Sequence, residues 1–111
     1  MNKIKYISLI GAPAMAPEEA ADFVGAGWKD LVVKMFEDLF ELGWNGELHQ
    51  IKEKFGALRV YIGDGTHAMF ERIHEAEKAS HEICEVCGAK GSLKGKYWVK
   101  TLCDLHSEEP A

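Results

Sequence analysis

Three cysteines and one histidine stand in two short pairs, Cys84-Glu85-Val86-Cys87 and Cys103-Asp104-Leu105-His106, with fifteen residues between Cys87 and Cys103. Within each pair two residues separate the donors, so one tight turn can aim both side chains at a point. Together the pairs supply four soft or borderline donors, the number a tetrahedral Zn²⁺ takes. Gly88 follows the first pair, where a knuckle commonly needs a residue free to adopt a positive φ. Three cysteines cannot all pair within one chain. With a histidine completing the set, they point to metal and to a reducing, cytoplasmic compartment. The plainer alternative is three buried free thiols and an unrelated histidine. Iron–sulfur is disfavoured by the histidine.

The ligand count also bears on what the metal does. A catalytic zinc keeps an open position beside three protein ligands, whereas four ligands close the shell. The nucleobase-deaminase pattern requires H-x-E and a proline before C-x-x-C. Here Ile83 precedes Cys84, and neither His74-Glu75-Ala76 nor His81-Glu82-Ile83 fits. No H-E-x-x-H, glycine-rich phosphate loop or G-x-S-x-G occurs. The expectation is one structural zinc, no catalytic residue, and metal binding that doubles as folding free energy, on the order of 10 kcal/mol in finger-like peptides.

Charge narrows the choice of partner. The chain carries -5 overall, which argues against bulk, sequence-blind binding to DNA. From Pro17 to Glu47 there are eight acids against two lysines, a local balance of -6. Lys52, Lys54, Arg59 and Tyr61 form a candidate basic patch with an aromatic, and Lys94, Lys96 and Trp98 extend the candidate contacts into the metal lobe. Such a patch suits phosphate or single strands, although an ordinary solvated sheet face reads the same way. Trp98 could be core or contact, and aromatic anchors are favoured at protein interfaces. His67, His74 and His81 recur every seven residues, about 10 Å of helical rise. That is too far apart for one ion, so a solvated stripe is expected.

These residues need elements to hold them. Lys3–Ile10 reads as a short strand or extended arm. Its basic start and the Ala14-Met15-Ala16 triplet have the flavour of a signal peptide, but Gly11 and Pro13 break the apolar run. No stretch is long enough to span a membrane. Pro17-Glu18-Glu19 begins a short helix that ends by Gly25 or Gly27. From Trp28 to Leu42, Leu31, Val32, Met35, Phe36, Leu39 and Phe40 recur at helical spacing, and Gly43 closes the helix. Trp28 and Trp44 flank it and are expected in the core. Glu47–Lys54 and Ala57–Ile62 read as a hairpin turning at Phe55-Gly56, with Ile51, Leu58, Val60 and Ile62 inward. Thr66 caps a second long helix to about Glu82, with Met69, Phe70, Ile73, Ala76, Ala79 and Ile83 as its buried stripe. Gly91, Gly95 and Tyr97-Trp98-Val99 fit a small hairpin between the ligand pairs.

Gly27-Trp28, the block from Lys52-Glu53-Lys54-Phe55-Gly56 to Tyr61, Cys84-Glu85-Val86-Cys87-Gly88 and Thr101-Leu102-Cys103-Asp104-Leu105-His106 resemble a group of small bacterial and phage-encoded proteins. Those share a K-E-K-F-G-x-L-R block and a C-terminal C-x-x-C-G…T-L-C-x-x-H. The resemblance implies a mobile-element setting and brings no activity with it. The lobe alone resembles a treble-clef or zinc-ribbon knuckle. It lacks the second histidine and the histidine/asparagine set of treble-clef nucleases.

The expected fold is α+β: a small antiparallel sheet packed on two helices, residues 1–83, with a zinc lobe over 84–111, one compact domain in all. The expected function is non-enzymatic recognition of a protein partner, such as a phage inhibitor of a host or defence complex, of the anti-CRISPR type. Nucleic-acid binding is the alternative, and a metal-dependent nuclease the third.

Overall fold

The hairpin organises the molecule. In the computed structural model, which describes residues 5–95 and 99–107, β2 (Glu47–Lys54) pairs antiparallel with β3 (Ala57–Ile62). The two-residue turn puts both Phe55 (φ 53) and Gly56 (φ 80) in the left-handed region. A turn of that hand matches the twist of the strands it joins. Pairing sets Lys52 opposite Arg59 and Ile51 opposite Val60, with a bulge between Leu48 and Gln50. Leu48, Ile51, Leu58, Val60 and Ile62 face the core.

The N-terminal strand is shorter than expected. β1 is Ser8–Leu9 and lies parallel to β2, so the sheet order is β1-β2-β3. Ile7 pairs instead with Met15, because the chain reverses through Gly11 at φ 84. Residues 3 and 4 lie outside the described set.

Two long helices cover the sheet. α1 (Pro17–Ala21) is a short lead-in, and a 3₁₀ turn at Ala26–Trp28 opens α2 (Lys29–Glu41). Val32, Met35, Phe36 and Leu39 are buried on one side of α2. Its end is a Schellman motif: Gly43 (φ 98) donates to Phe40 O at 3.0 Å and Trp44 to Leu39 O at 2.9 Å. The Trp44 ring then stacks on Phe36, with centroids 5.6 Å apart. Trp28 and Trp44 are both core residues, as expected.

α3 (His67–Ser80) starts where Thr66 Oγ1 accepts the Met69 N–H at 3.3 Å. It ends two residues early, since His81 to Ile83 turn away to begin the metal lobe. Met69, Ile73, Ala76 and Ser80 form its buried face. Phe70 does not join them. It is 48% exposed, one residue off that stripe, and lies over Gly65. α3 runs beside β3 and uses side chains to satisfy that strand's outward N–H groups. Leu58 N donates to Ser80 Oγ at 2.9 Å, and Val60 N to Glu77 Oε2 at 3.0 Å.

The lobe's own sheet is β4 (Ser92–Lys94) antiparallel to β5 (Lys100–Leu102). The expected hairpin is present, but its described strands flank the Tyr97-Trp98-Val99 run. Residues 96–98 lie outside the described set. The architecture is the expected α+β fold. No helix among the described residues is long and apolar enough to cross a membrane.

Candidate metal centre

Each ligand owes its position to local backbone bonds. Cys84 N donates to Ala89 O at 2.7 Å and Gly88 N to Cys84 O at 2.9 Å, closing a knuckle around Cys87. Gly88 sits at φ 84, the conformation that the spacing demanded. Cys103 directly follows β5, and His106 N donates to Cys103 O at 3.1 Å to form the second turn. Any helix that a treble clef would carry after Ser107 lies outside the described residues.

The four donor atoms lie within 4.8 Å of one another. Cys87 Sγ is 3.7 Å from Cys103 Sγ, and His106 Nδ1 is 3.8 Å from Cys84 Sγ and 3.2 Å from Cys103 Sγ. A tetrahedral ion with zinc's bond lengths sets sulfur–sulfur edges of about 3.8 Å and sulfur–nitrogen edges of about 3.6 Å. The residues therefore fit such an ion. They do not fit a disulfide, whose sulfurs stand about 2.05 Å apart. Because Nδ1 faces the thiols, the imidazole proton belongs on Nε2 when the ring is a ligand.

Electrostatics within the cluster are unbalanced. Burial pushes the Cys84 thiol up, but backbone groups of Cys87, Cys103 and Val86 together outweigh it and bring it down to about 6. Burial raises Cys103 too, yet His106 hydrogen bonds leave it lowered. The Ala89 backbone pulls Cys87 down, but desolvation and the two neighbouring sulfurs win, so that thiol is raised. The bond to Cys103 lifts His106. Two sulfurs favour the anion and the third is repelled by them. A divalent cation removes that repulsion and lets all three ionise.

The lobe is bolted to the rest of the fold at two places. On one side the Trp28 indole donates to Ile83 O at 2.8 Å and Gly27 N to Glu85 O at 2.9 Å. A side chain on Gly27 would collide with the Cys84 carbonyl, and one on Gly25 with the Glu85 carbonyl. On the other side, the buried Thr101 hydroxyl donates to Gly56 O at 2.6 Å. Lys100 Nζ bridges Glu53 (3.0 Å) and Glu85 (3.2 Å), while Glu53 also accepts the Gly56 N–H at 2.7 Å. Burial lowers the Lys100 ammonium, but the two carboxylates outweigh it and its pKa is raised.

The candidate contact residues divide. Lys52, Lys54, Arg59 and Tyr61 share the outward face of β2–β3, as the alternation required. Arg59 Nη1 stands 3.9 Å from Glu77 Oε1, a carboxylate already occupied by the Val60 N–H. Lys94 lies on β4 and pairs with Asp104 at 3.5 Å. Lys96 and Trp98 lie outside the described residues. The three spaced histidines gather no metal cluster among the described residues, and His67 pairs instead with Glu71 at 2.9 Å.

Sequence reasoning missed Phe55. It is 73% exposed at the hairpin tip, with Lys54 Nζ 5.7 Å above its ring. The available signal was its place in a two-residue turn, where Asn, Asp or Gly is usual. The chain matches no family model, no curated protein and no solved structure with which it was compared. Its function is therefore read from its own residues.

Proposed function

We propose that this protein is a non-enzymatic recognition module braced by one zinc ion. The observation behind this is the convergence of Cys84, Cys87, Cys103 and His106, whose donor atoms lie within 4.8 Å of one another, in a segment bonded to the hairpin turn through Thr101 and to the turn before α2 through Glu85. Three thiolates and an imidazole suit zinc among divalent ions. With four protein ligands there is no open position for a substrate, so the metal holds surfaces in place. The resemblance to phage-encoded proteins supplies a setting in which such a surface engages a host or defence complex inside the reducing cytoplasm.

The total charge of -5 favours a protein partner. The grouping of Lys52, Lys54, Arg59 and Tyr61 on one sheet face favours nucleic acid. Local charge favours the second on that face: among the described residues Lys52 and Lys54 have no ion-pair partner, and Arg59 has only Glu77 at 3.9 Å.

The closed shell is tested by X-ray absorption at the zinc edge on purified protein, with DNA and RNA cleavage assays in parallel. Three sulfurs, one nitrogen and no cleavage are expected. A water or carboxylate oxygen in the shell, with cleavage that Cys87→Ser abolishes, would overturn the reading in favour of a metalloenzyme.

A further inference from the structure

The hairpin tip breaks two ordinary rules at one residue. Phe55 adopts φ 53, a region costly for a bulky side chain and normally given to Asn, Asp or Gly. It also leaves its ring 73% exposed. Neither choice helps the hairpin fold. Strain of this kind persists where the surroundings enforce it, and it is characteristic of functional positions. Here the surroundings do enforce it. Gly56 is seated against Leu93 and the Lys100 backbone, where it has no room for a side chain, and its N–H and carbonyl are both held, by Glu53 and Thr101.

The neighbours of Phe55 share one chemistry. Lys54 Nζ stands over the ring at 5.7 Å. Lys52 and Arg59 are opposed across the strands next along the face, and Tyr61, 47% exposed, lies beyond them opposite Gln50. Among the described residues, neither Lys52 nor Lys54 has an ion-pair partner, and Arg59 has only the distant, shared Glu77. Two exposed aromatic rings thus bracket three cations on one side of a sheet. Rings stack on bases without regard to sequence, and interleaved cations meet the backbone phosphates.

We propose that the outer face of β2–β3, with Phe55 at its tip, binds single-stranded nucleic acid, one base stacking on Phe55 and the phosphates meeting Lys52, Lys54 and Arg59. This rests on the recognition-module reading and supplies its ligand class. β5, which leads straight into Cys103, positions Gly56 and so the ring, which gives the metal a role in setting the platform.

The test is fluorescence anisotropy of labelled twelve-nucleotide oligo(dT) and oligo(U), with duplex DNA of equal length as control, across a salt series. With three cations engaged, log affinity should fall against log salt with a slope of about -2. The single strands should bind more tightly than the duplex. Phe55→Asn is the decisive variant, because asparagine suits the turn. It should fold at least as stably as the natural chain yet bind about tenfold more weakly, the loss of one stacked base. Lys52→Gln should reduce the slope by about 0.7. Absence of oligonucleotide binding at low salt, or binding indifferent to Phe55→Asn, would overturn the proposal. Displacement of the strand by hexaglutamate at equal charge would overturn it too, in favour of an acidic protein segment. None of these failures touches the closed zinc shell, which the absorption spectrum reads separately.

Discussion

Thr101 is a fully buried hydroxyl that donates to Gly56 O at 2.6 Å. Ser80, also buried, accepts the Leu58 N–H and donates to Glu77 O. Neither was legible in the sequence, because small polar residues are mostly exposed. Their burial follows from backbone groups at a strand edge and a turn that need partners once the chain has folded. The candidate metal ligands were legible because four donors in two x₂ pairs state their chemistry locally. Phe70 was misread as buried, since a helical stripe has a width that spacing alone does not fix. Thr101→Val keeps the shape and removes the donor. It should cost about 1–3 kcal/mol, the price of a buried carbonyl left unpaired, with zinc still bound. Urea unfolding of the two proteins measures it, and equal midpoints would show that Gly56 O needs no partner.

At the scale of elements, β2, β3 and α2 emerged close to their expected bounds. Period-two and helical apolar patterns are local, and Gly43, Gly46 and Gly56 all take the positive φ that punctuates them. The parallel pairing of β1 was not legible, since nothing in Ser8-Leu9 names its partner strand. The docking of the lobe was equally hidden, because Glu53, Glu85 and Lys100 are distant in sequence and ordinary in type. Their cluster makes a pH prediction with a definite sign. The Lys100 pKa is raised in the fold. Its stabilisation is therefore complete below the unfolded lysine value of about 10.4 and is lost as pH rises through the higher folded value. Melting temperature followed up to that alkaline range should fall faster for the natural chain than for Lys100→Met. Parallel profiles would mean that the ammonium contributes nothing to holding lobe and hairpin together.

Across the whole molecule, the cut between residues 83 and 84 marks a change of chemistry more than a break in packing. The Gly27 N–H bonds to Glu85 O and the Thr101 hydroxyl to Gly56 O, so lobe and core are hydrogen-bonded on two sides. A chain of 111 residues buries a modest core, and small domains often need a metal or a partner to hold them. In the proposed reading the ion is a structural member of the entire fold, and the proposed binding face at the hairpin tip depends on it through β5. The most direct test is metal analysis of purified protein combined with thermal unfolding before and after a strong chelator. One zinc per chain is predicted, with a single transition that moves to markedly lower temperature when the metal is removed, and the same loss in Cys84→Ser. A metal-free protein that melts at an unchanged temperature would contradict the account.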